Sequence, residues 1–310
     1  MRANFAPAAS LGSGAEAGLR IGYVISAYHK PQMVVRLVRR LNSPQNRFYI
    51  HYDLRSPEGE FNELQQAFRG MGNVTLLERH RCRWGDFGHV LASLKGIRAM
   101  MAGETKPDYA ILLTGQDYPI KSNALISRQL QAAAGRSFMQ ASAWPVPQWE
   151  NGRGIRRIQN YHLHFGMPRW ARSLGWQPGW QHLTIPMRRK VPGGLHPYFG
   201  SGYWYLHRDC VEYIQNYVDE HPDFVRFFRG VLIPDECFFH ILLMNSPLAK
   251  SFEQRTLTYM DWRPPWPGIL KMQDLPKLQQ SDCLFARKFD PAVDGEVLNK
   301  LDASFESVPT

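Results

Sequence analysis

The chain has 310 residues, 44% hydrophobic and 21% charged, which excludes a disordered polymer and leaves room for a sizeable buried core. No run approaches the ~20 apolar residues of a membrane-spanning helix. A formal net charge of +10 predicts an anionic partner: nucleic acid, acidic lipid or a phosphorylated substrate.

In chain order, residues 1–20 are rich in Ala, Gly and Ser, lack the apolar core of a secretory signal, and are expected to form a disordered leader. "IGYVIS" (21–26) is a short apolar run that predicts a buried strand. In "PQMVVRLVRRL" (31–41) Pro31 suits a first helical turn, and Val34, Leu37, Val38 and Leu41 fall on one face. "RFYIHYD" (47–53) is the next strand and completes a strand–helix–strand unit. Residues 59–69 predict a helix and 74–77 a strand. Residues 86–101 predict a helix with Val90, Leu94, Ile97 and Met101 on its buried stripe, and 109–115 a strand ending in a glycine turn. This alternation predicts an α/β fold with a mostly parallel central sheet flanked by helices. Ligands of such sheets bind at the carboxyl ends of the strands. Those ends carry Ser26-Ala27-Tyr28-His29-Lys30, His51-Tyr52-Asp53 and Thr114-Gly115-Gln116-Asp117.

From 141 to 200 the chain changes character. Trp144, Trp149, Trp170, Trp176 and Trp180 alternate with Arg153, Arg156, Arg157, Arg169, Arg172, Arg188 and Arg189. Irregular segments of this kind are often binding loops, and aromatic–basic alternation also suits single-stranded nucleic acid. Residues 200–214 return to a strand and then a helix from about Arg208. "PDECFFHILLMN" (234–245) predicts another helix, on which Glu236 and His240 would share a face.

That pair invites a metal, but HExxH is incomplete and two ligands do not hold zinc. Asp235, after Pro234, suits a helix start, which leaves Glu236 free, with His240 a core or supporting group. Cys82, Cys210, Cys237 and Cys283 form no CxxC pair, so a zinc-ribbon or dithiol redox protein is disfavoured and a reducing compartment favoured. There is no GxGxxG, no GxxxxGK[ST] and no DxD triplet to hold a metal on a diphosphate. "LFARKFDP" (284–291) instead offers Arg287 and Lys288, and "DWRPPW" (261–266) offers Arg263; fixed cations can neutralise a leaving diphosphate as a metal would.

Together, "YHKPQMVVRLVRRL", "YIHYD", "RWGDFGHVLASLKGIRAM", "LLTGQDYPIKSN", "GSGYWYLHRDCVEYI", "PDECFFHILLMNSP" and "LFARKFD" run in order from 21 to about 290. In this ordered set the chain resembles the core-2/I-branching β-1,6-N-acetylglucosaminyltransferases and peptide O-xylosyltransferases of glycosyltransferase family 14, as a bacterial-type member nearer the xylosyltransferase branch. The resemblance implies a GT-A-type nucleotide-sugar transferase fold. It implies one domain over 21–310, with a nucleotide-binding half (21–125) and an acceptor and catalytic half (126–310). It implies an inverting, metal-independent transfer from a UDP-sugar (GlcNAc, xylose or glucuronic acid) to a hydroxyl of a glycan, glycolipid or peptide, with no cofactor and no nucleic-acid partner.

By family pattern Glu236 is the general base. The donor site is expected at His29, His51, Asp53, Trp84, Arg263, Arg287 and Lys288. The acceptor site is expected at Gln116, Asp117, Glu150, Arg153, Arg156, Tyr161, Ser201, Tyr203 and Trp204. The absent signal and the positive charge lead to an expectation of a cytoplasmic enzyme with peripheral membrane contact at the inner face. Two alternatives stay open: a basic nucleic-acid-binding module, and an inactive glycan-binding homologue.

Overall fold

The structure, a computed structural model, describes residues 18–146, 153–164, 182–263 and 266–306. Residues 1–17 of the expected leader, Glu150, and Trp149, Trp170, Trp176 and Trp180 lie outside the described residues. Residues 18–20 are described, and Arg20 binds Asp108 through its amide (2.9 Å) and its guanidinium (2.9 Å).

Strand β1 (Ile21–Ala27), helix α1 (Pro31–Leu41), strand β2 (Arg47–Tyr52), helix α2 (Glu58–Ala67), strand β3 (Val74–Leu76), helix α3 (Gly88–Ala102) and strand β4 (Tyr109–Thr114) follow one another. They build half of a seven-stranded sheet. Its order is Phe252–Glu253, Ser137–Phe138, Tyr205–His207, β4, β1, β2, β3. β1 pairs in parallel with both β2 and β4, and β2 with β3; Tyr205–His207 runs against both of its neighbours. The fold is thus α/β with a mostly parallel sheet, as the alternating pattern predicts.

Alternate residues of each strand feed two hydrophobic clusters on opposite faces. Tyr23 and Ile25 of β1 join one with α1, while Val24 joins the other with α3. In α1 the predicted face is fully buried: Val34, Leu37, Val38 and Leu41 all have 0% exposure. Each contributes about 2 kcal/mol of burial. α3 is rotated from its expected stripe. Val90, Ser93, Ile97 and Met100 are buried, whereas Leu94 and Met101 are only half-buried. The cause is Gly96: a Cβ there would lie 2.7 Å from Val24, so the helix sits on the sheet through its smallest residues.

A smaller three-stranded sheet joins Thr258–Met260, Phe285–Arg287 and Tyr118–Pro119, which sets Arg287 beside the end of β4. The helix expected over 234–245 is broken. Pro234–Glu236 form a 3-10 turn, Cys237 has φ −147° and ψ −25°, and the α-helix is Phe238–Met244. Glu236 and His240 therefore do not share a helical face. No described helix is long and apolar enough to cross a membrane.

Candidate active site

A cleft of about 970 Å³ opens where the carboxyl ends of β1, β2 and β4 meet. Its wall includes Tyr28 and His29 after β1, Asp53 after β2, and Thr114, Gly115 and Gln116 after β4. β1 lies between β2 and β4 in the sheet, so the loops that follow it diverge from theirs and leave a crevice. The Tyr28 and His29 rings stack at 4.1 Å. Tyr28, Trp84 and Trp262 line the cleft while 55%, 57% and 62% exposed, so aromatic rings of the kind that stack on sugars and bases border it.

One wall is cationic. Arg287 ends its strand with Nε 3.3 Å from the Asp117 carboxylate and its guanidinium 4.9 Å from the centre of the Tyr203 ring. Asp117 is fully buried and also accepts from the Thr114 amide (2.7 Å) and hydroxyl (3.0 Å). Burial pushes the Asp117 carboxyl up, and Arg287 pulls it back. Asp117 is thus a support for Arg287 rather than part of the cleft wall. Lys288 faces the same cleft and has no carboxylate within ion-pair distance among the described residues. Burial, and then the neighbouring Arg287, pull its ammonium below the ordinary lysine range.

The opposite chemistry sits on the 3-10 turn. Ile233 enters it at φ 53°, a left-handed conformation that costs a β-branched residue about 1–3 kcal/mol. The turn is held there because the Ile233 amide donates to Gly85 O at 2.8 Å, and Gly85 itself needs φ +75°. As a result Asp235 and Glu236 both reach the cleft. Asp235 caps no described helix, and its Oδ1 is buried without a hydrogen-bond partner among the described residues. Glu236 accepts from Arg157 Nη1 at 2.6 Å, and its side chain stays 36% exposed. Burial pushes the Glu236 carboxyl up, Arg157 opposes the shift, and Asp235 adds to it. Arg157 is the site residue that the sequence reading passed over in favour of its neighbour Arg156. Arg153, Arg156 and Arg157 are three and four apart, so spacing alone could not choose among them.

Behind this turn, His240 is fully buried and donates from Nε2 to Ser201 O at 3.0 Å, which fixes the loop that carries Ser201 and Tyr203 into the wall. Gly200 lets that loop through: a Cβ there would meet Gln140 O at 1.7 Å.

The remaining predicted positions divide. His29, Asp53, Trp84, Gln116, Ser201, Tyr203, Glu236, Arg287 and Lys288 line the one cleft. Asp53 is held by Arg55 (Nη2 to Oδ2, 2.6 Å); burial alone would raise its carboxyl, but the Arg55 bonds hold it below the usual range. Other predicted residues lie elsewhere. Trp204, just before the strand Tyr205–His207, is fully buried in the core against Phe239 and is not part of the cleft wall. Arg263 is bound to Asp261 at 2.7 Å and is not part of the wall. Tyr161 packs under Arg189, 5.1 Å from guanidinium to ring centre, and Arg156 is exposed beyond the cleft. Arg153 opens the helix Arg153–Gln159; its side chain lies outside the described residues.

His51 is buried behind Asp53, in a cluster with His80 and Cys82 whose ligand atoms lie within 4.8 Å of one another. The hydrogen bonds there oppose a metal. His51 Nε2 accepts from the His80 amide at 3.1 Å, so its proton belongs on Nδ1, the atom that faces Cys82 Sγ at 4.0 Å. Coordination through Nδ1 would move the proton to Nε2, against the amide. A second groove, of about 580 Å³, follows the outside of α1, where Arg36 and Arg40 are both tied to Asp302.

A family model described as Core-2/I-Branching enzyme matches residues 21–282. The chain is 24% identical over 309 residues to Xylosyltransferase oxt of Drosophila melanogaster, covering 92% of this chain and 33% of that protein. It is 26% identical over 306 residues to Xylosyltransferase 1 of Canis lupus familiaris, covering 92% and 30%. The chain thus spans about a third of the length of the curated relatives it matches. Among solved structures, the galactosyltransferase LgtC aligns over 94% of this chain and 98% of that chain at 9% identity, with a TM-score of 0.41, a weak likeness. The matched segment runs from β1 through the strand ends and the acidic turn, and stops just before Arg287 and Lys288. The chain belongs to the Core-2/I-Branching enzyme family.

Proposed function

We propose that the chain is an inverting, metal-independent glycosyltransferase of GT-A type that moves a sugar from a UDP-sugar to an acceptor hydroxyl, with Glu236 as general base. The observation that carries this reading is that Glu236 and the Arg287–Lys288 pair open onto one cleft. The donor lies along the strand ends, with its diphosphate against the two cations and its sugar facing the acidic turn. An acceptor hydroxyl attacks the anomeric carbon as the bond from that carbon to the phosphate oxygen breaks. The hydroxyl proton passes to Glu236, and UDP leaves with the bonding electrons. The new bond forms on the face opposite the departing phosphate, which inverts the configuration.

The electrostatics suit these roles. A base must be ionised before it can accept a proton, and Arg157 counters the burial that would keep Glu236 protonated. Arg287 is pre-aligned by Asp117 and Tyr203, so little reorganisation is needed when charge develops on the leaving group. The xylosyltransferase relatives favour UDP-xylose as the first donor to try, with UDP-GlcNAc and UDP-glucuronic acid after it.

A second reading gives the base role to Asp235, because its Oδ1 is a buried acceptor in the same cleft without a partner among the described residues. Burial raises its carboxyl and no described arginine bonds it directly, so we favour Glu236. A UDP-release screen over the three donors separates the two readings. Loss of turnover in Glu236→Gln but not in Asp235→Asn supports Glu236; the reverse transfers the role. No UDP release or UDP binding, together with salt-dependent binding of random oligonucleotides, would favour a nucleic-acid module instead.

A further inference from the structure

The segment that carries Arg157 continues into a two-stranded hairpin, Tyr161–His164 paired antiparallel with His182–Ile185. Tyr161 is opposite Ile185, and Leu163 opposite Leu183. Alternation therefore places these four on one face and His162, His164, His182 and Thr184 on the other. The histidine face turns inward: His162 is buried, and its ring meets that of His182 at 5.4 Å. Among the described residues the other face is packed at its Tyr161 end, against Arg189 and Gly230. Beyond that, Leu163 is 43% exposed, Leu183 55% and Ile185 38%, and Met187 just past the strand is 59% exposed. Four of the nine large exposed hydrophobic side chains among the described residues are therefore gathered here; three of the others, Tyr28, Trp84 and Trp262, belong to the cleft.

The charges of the segment that carries this face have one sign. Residues 151–190 contain seven arginines and one lysine and not a single Asp or Glu. Arg157 is bonded to Glu236 and Arg189 is packed on Phe227, whereas Arg156, Arg188 and Lys190 are exposed. An aliphatic surface flanked along the chain by exposed cations, with no acid in its own segment, matches a bilayer interface. The aliphatic groups leave water for the acyl boundary, and the cations meet anionic headgroups. A nucleic acid would use flat rings on which bases stack, and the exposed side chains of this face among the described residues are Leu, Ile and Met. A hydrated acidic glycan would satisfy the cations but gain nothing from the aliphatic groups.

We propose that the outer face of this hairpin, with Leu163, Leu183, Ile185 and Met187 at its centre and Arg156, Arg188 and Lys190 flanking it along the chain, docks the protein on a membrane surface that bears anionic lipid. The Arg157 carbonyl accepts from Leu232 N at 3.2 Å and Gly230 O accepts from His162 N at 2.9 Å. These bonds tie the docking element to the acidic turn, so docking holds the cleft at a set position relative to the bilayer.

The test is co-sedimentation of the full chain with vesicles of phosphatidylcholine alone and of phosphatidylcholine mixed with phosphatidylglycerol. The protein should pellet with the mixed vesicles and not with the neutral ones. Leu163→Ser/Leu183→Ser and, separately, Arg188→Glu/Lys190→Glu should each weaken vesicle binding by about tenfold or more. UDP affinity, measured on the same preparations, should not change, which shows that the variants remain folded and separates docking from the donor site. Two results would overturn the proposal. One is no pelleting with mixed vesicles at low salt. The other is pelleting that the Leu163→Ser/Leu183→Ser variant leaves unaltered, since that is the signature of unspecific attraction by a protein of net charge +10. Binding to single-stranded DNA that the serine variant weakens as much as vesicle binding would also reassign the surface.

Discussion

The strand ends line the cleft directly, whereas the Arg153–Lys190 segment meets it through the bond from Arg157 to Glu236. The first is anchored in a sheet buried on both faces, and its charges are already paired within the chain: Asp53 with Arg55, Asp117 with Arg287. The second has no acid of its own, and among its described residues it turns an aliphatic face outward. Its arginine that bonds to the cleft, Arg157, finds its partner, Glu236, on a different element. A wall that pairs its own charges is rigid before ligand arrives. A segment whose one described side-chain bond to the cleft is Arg157–Glu236 is otherwise held by backbone bonds, so that side-chain contact should be the easier to disturb without unfolding the rest.

The largest effect should come from the carboxylate at which the two regions touch. Glu236→Gln should lower turnover by about 10³-fold, within the range for general bases, while UDP affinity stays within about twofold. Turnover by UDP release, with calorimetric UDP titration alongside, measures both.

The rigidity of the strand wall can be probed through His51. Burial, and then His80, hold its imidazole down to about 3, against an ordinary value of 6.5. The folded chain therefore binds fewer protons than the unfolded chain between those values, and stability is lost as pH falls through the window. By pH 4 the loss should approach about 3 kcal/mol. His51→Gln keeps an acceptor for the His80 amide but does not titrate, so its melting temperature should fall less between pH 6.5 and 4 than that of the wild type.

Next in size are the cations. Arg287→Ala should weaken UDP binding by about 10–100-fold, and Lys288→Ala by about tenfold or less. The two should also differ in stability. Only Arg287→Ala strips a buried carboxylate of its partner, so only that variant should melt clearly lower, and Arg287→Lys should recover part of the loss.

The smallest effect is a shift rather than a loss, and it bears most directly on the contrast between the regions. Removing Arg157 leaves burial unopposed at Glu236, so the acid limb of kcat/KM in Arg157→Ala should move to higher pH. Arg156→Ala should leave that limb where it is. A pH–rate profile of both variants decides whether residue 157, rather than 156, is the contact.

Much of this arrangement was legible in the sequence wherever one period governed it. The face of α1 and the three strand ends follow from apolar spacing, because sheet and helix there bury what the pattern says they bury. The departures have local causes. Gly96 let α3 approach through its small side and turned Leu94 and Met101 out of the core. Pro234 and the left-handed Ile233 made a one-turn 3-10 element where apolar periodicity predicted a continuous helix, and that break frees Asp235 and Glu236 to face the cleft. Trp204 follows Tyr203 in the loop before the strand Tyr205–His207, where no period tells which of the two rings enters the core. Arg263 found a carboxylate two residues away, at Asp261, and no spacing rule announces such a local pair. Tyr28 belongs to a strand end where a ligand is expected, whereas nothing in the sequence marks Trp262, because composition does not say which rings the fold leaves uncovered.

The central claim is that cations of the chain, and not a divalent metal, stand against the diphosphate while Glu236 faces the acceptor. It is tested most directly by UDP release from an accepted donor, measured on EDTA-treated protein before and after addition of Mn²⁺. The account predicts the same rate in EDTA as in Mn²⁺, and a reduced rate in Lys288→Ala that Mn²⁺ does not restore. A rate abolished by EDTA and recovered in full with Mn²⁺ would contradict it.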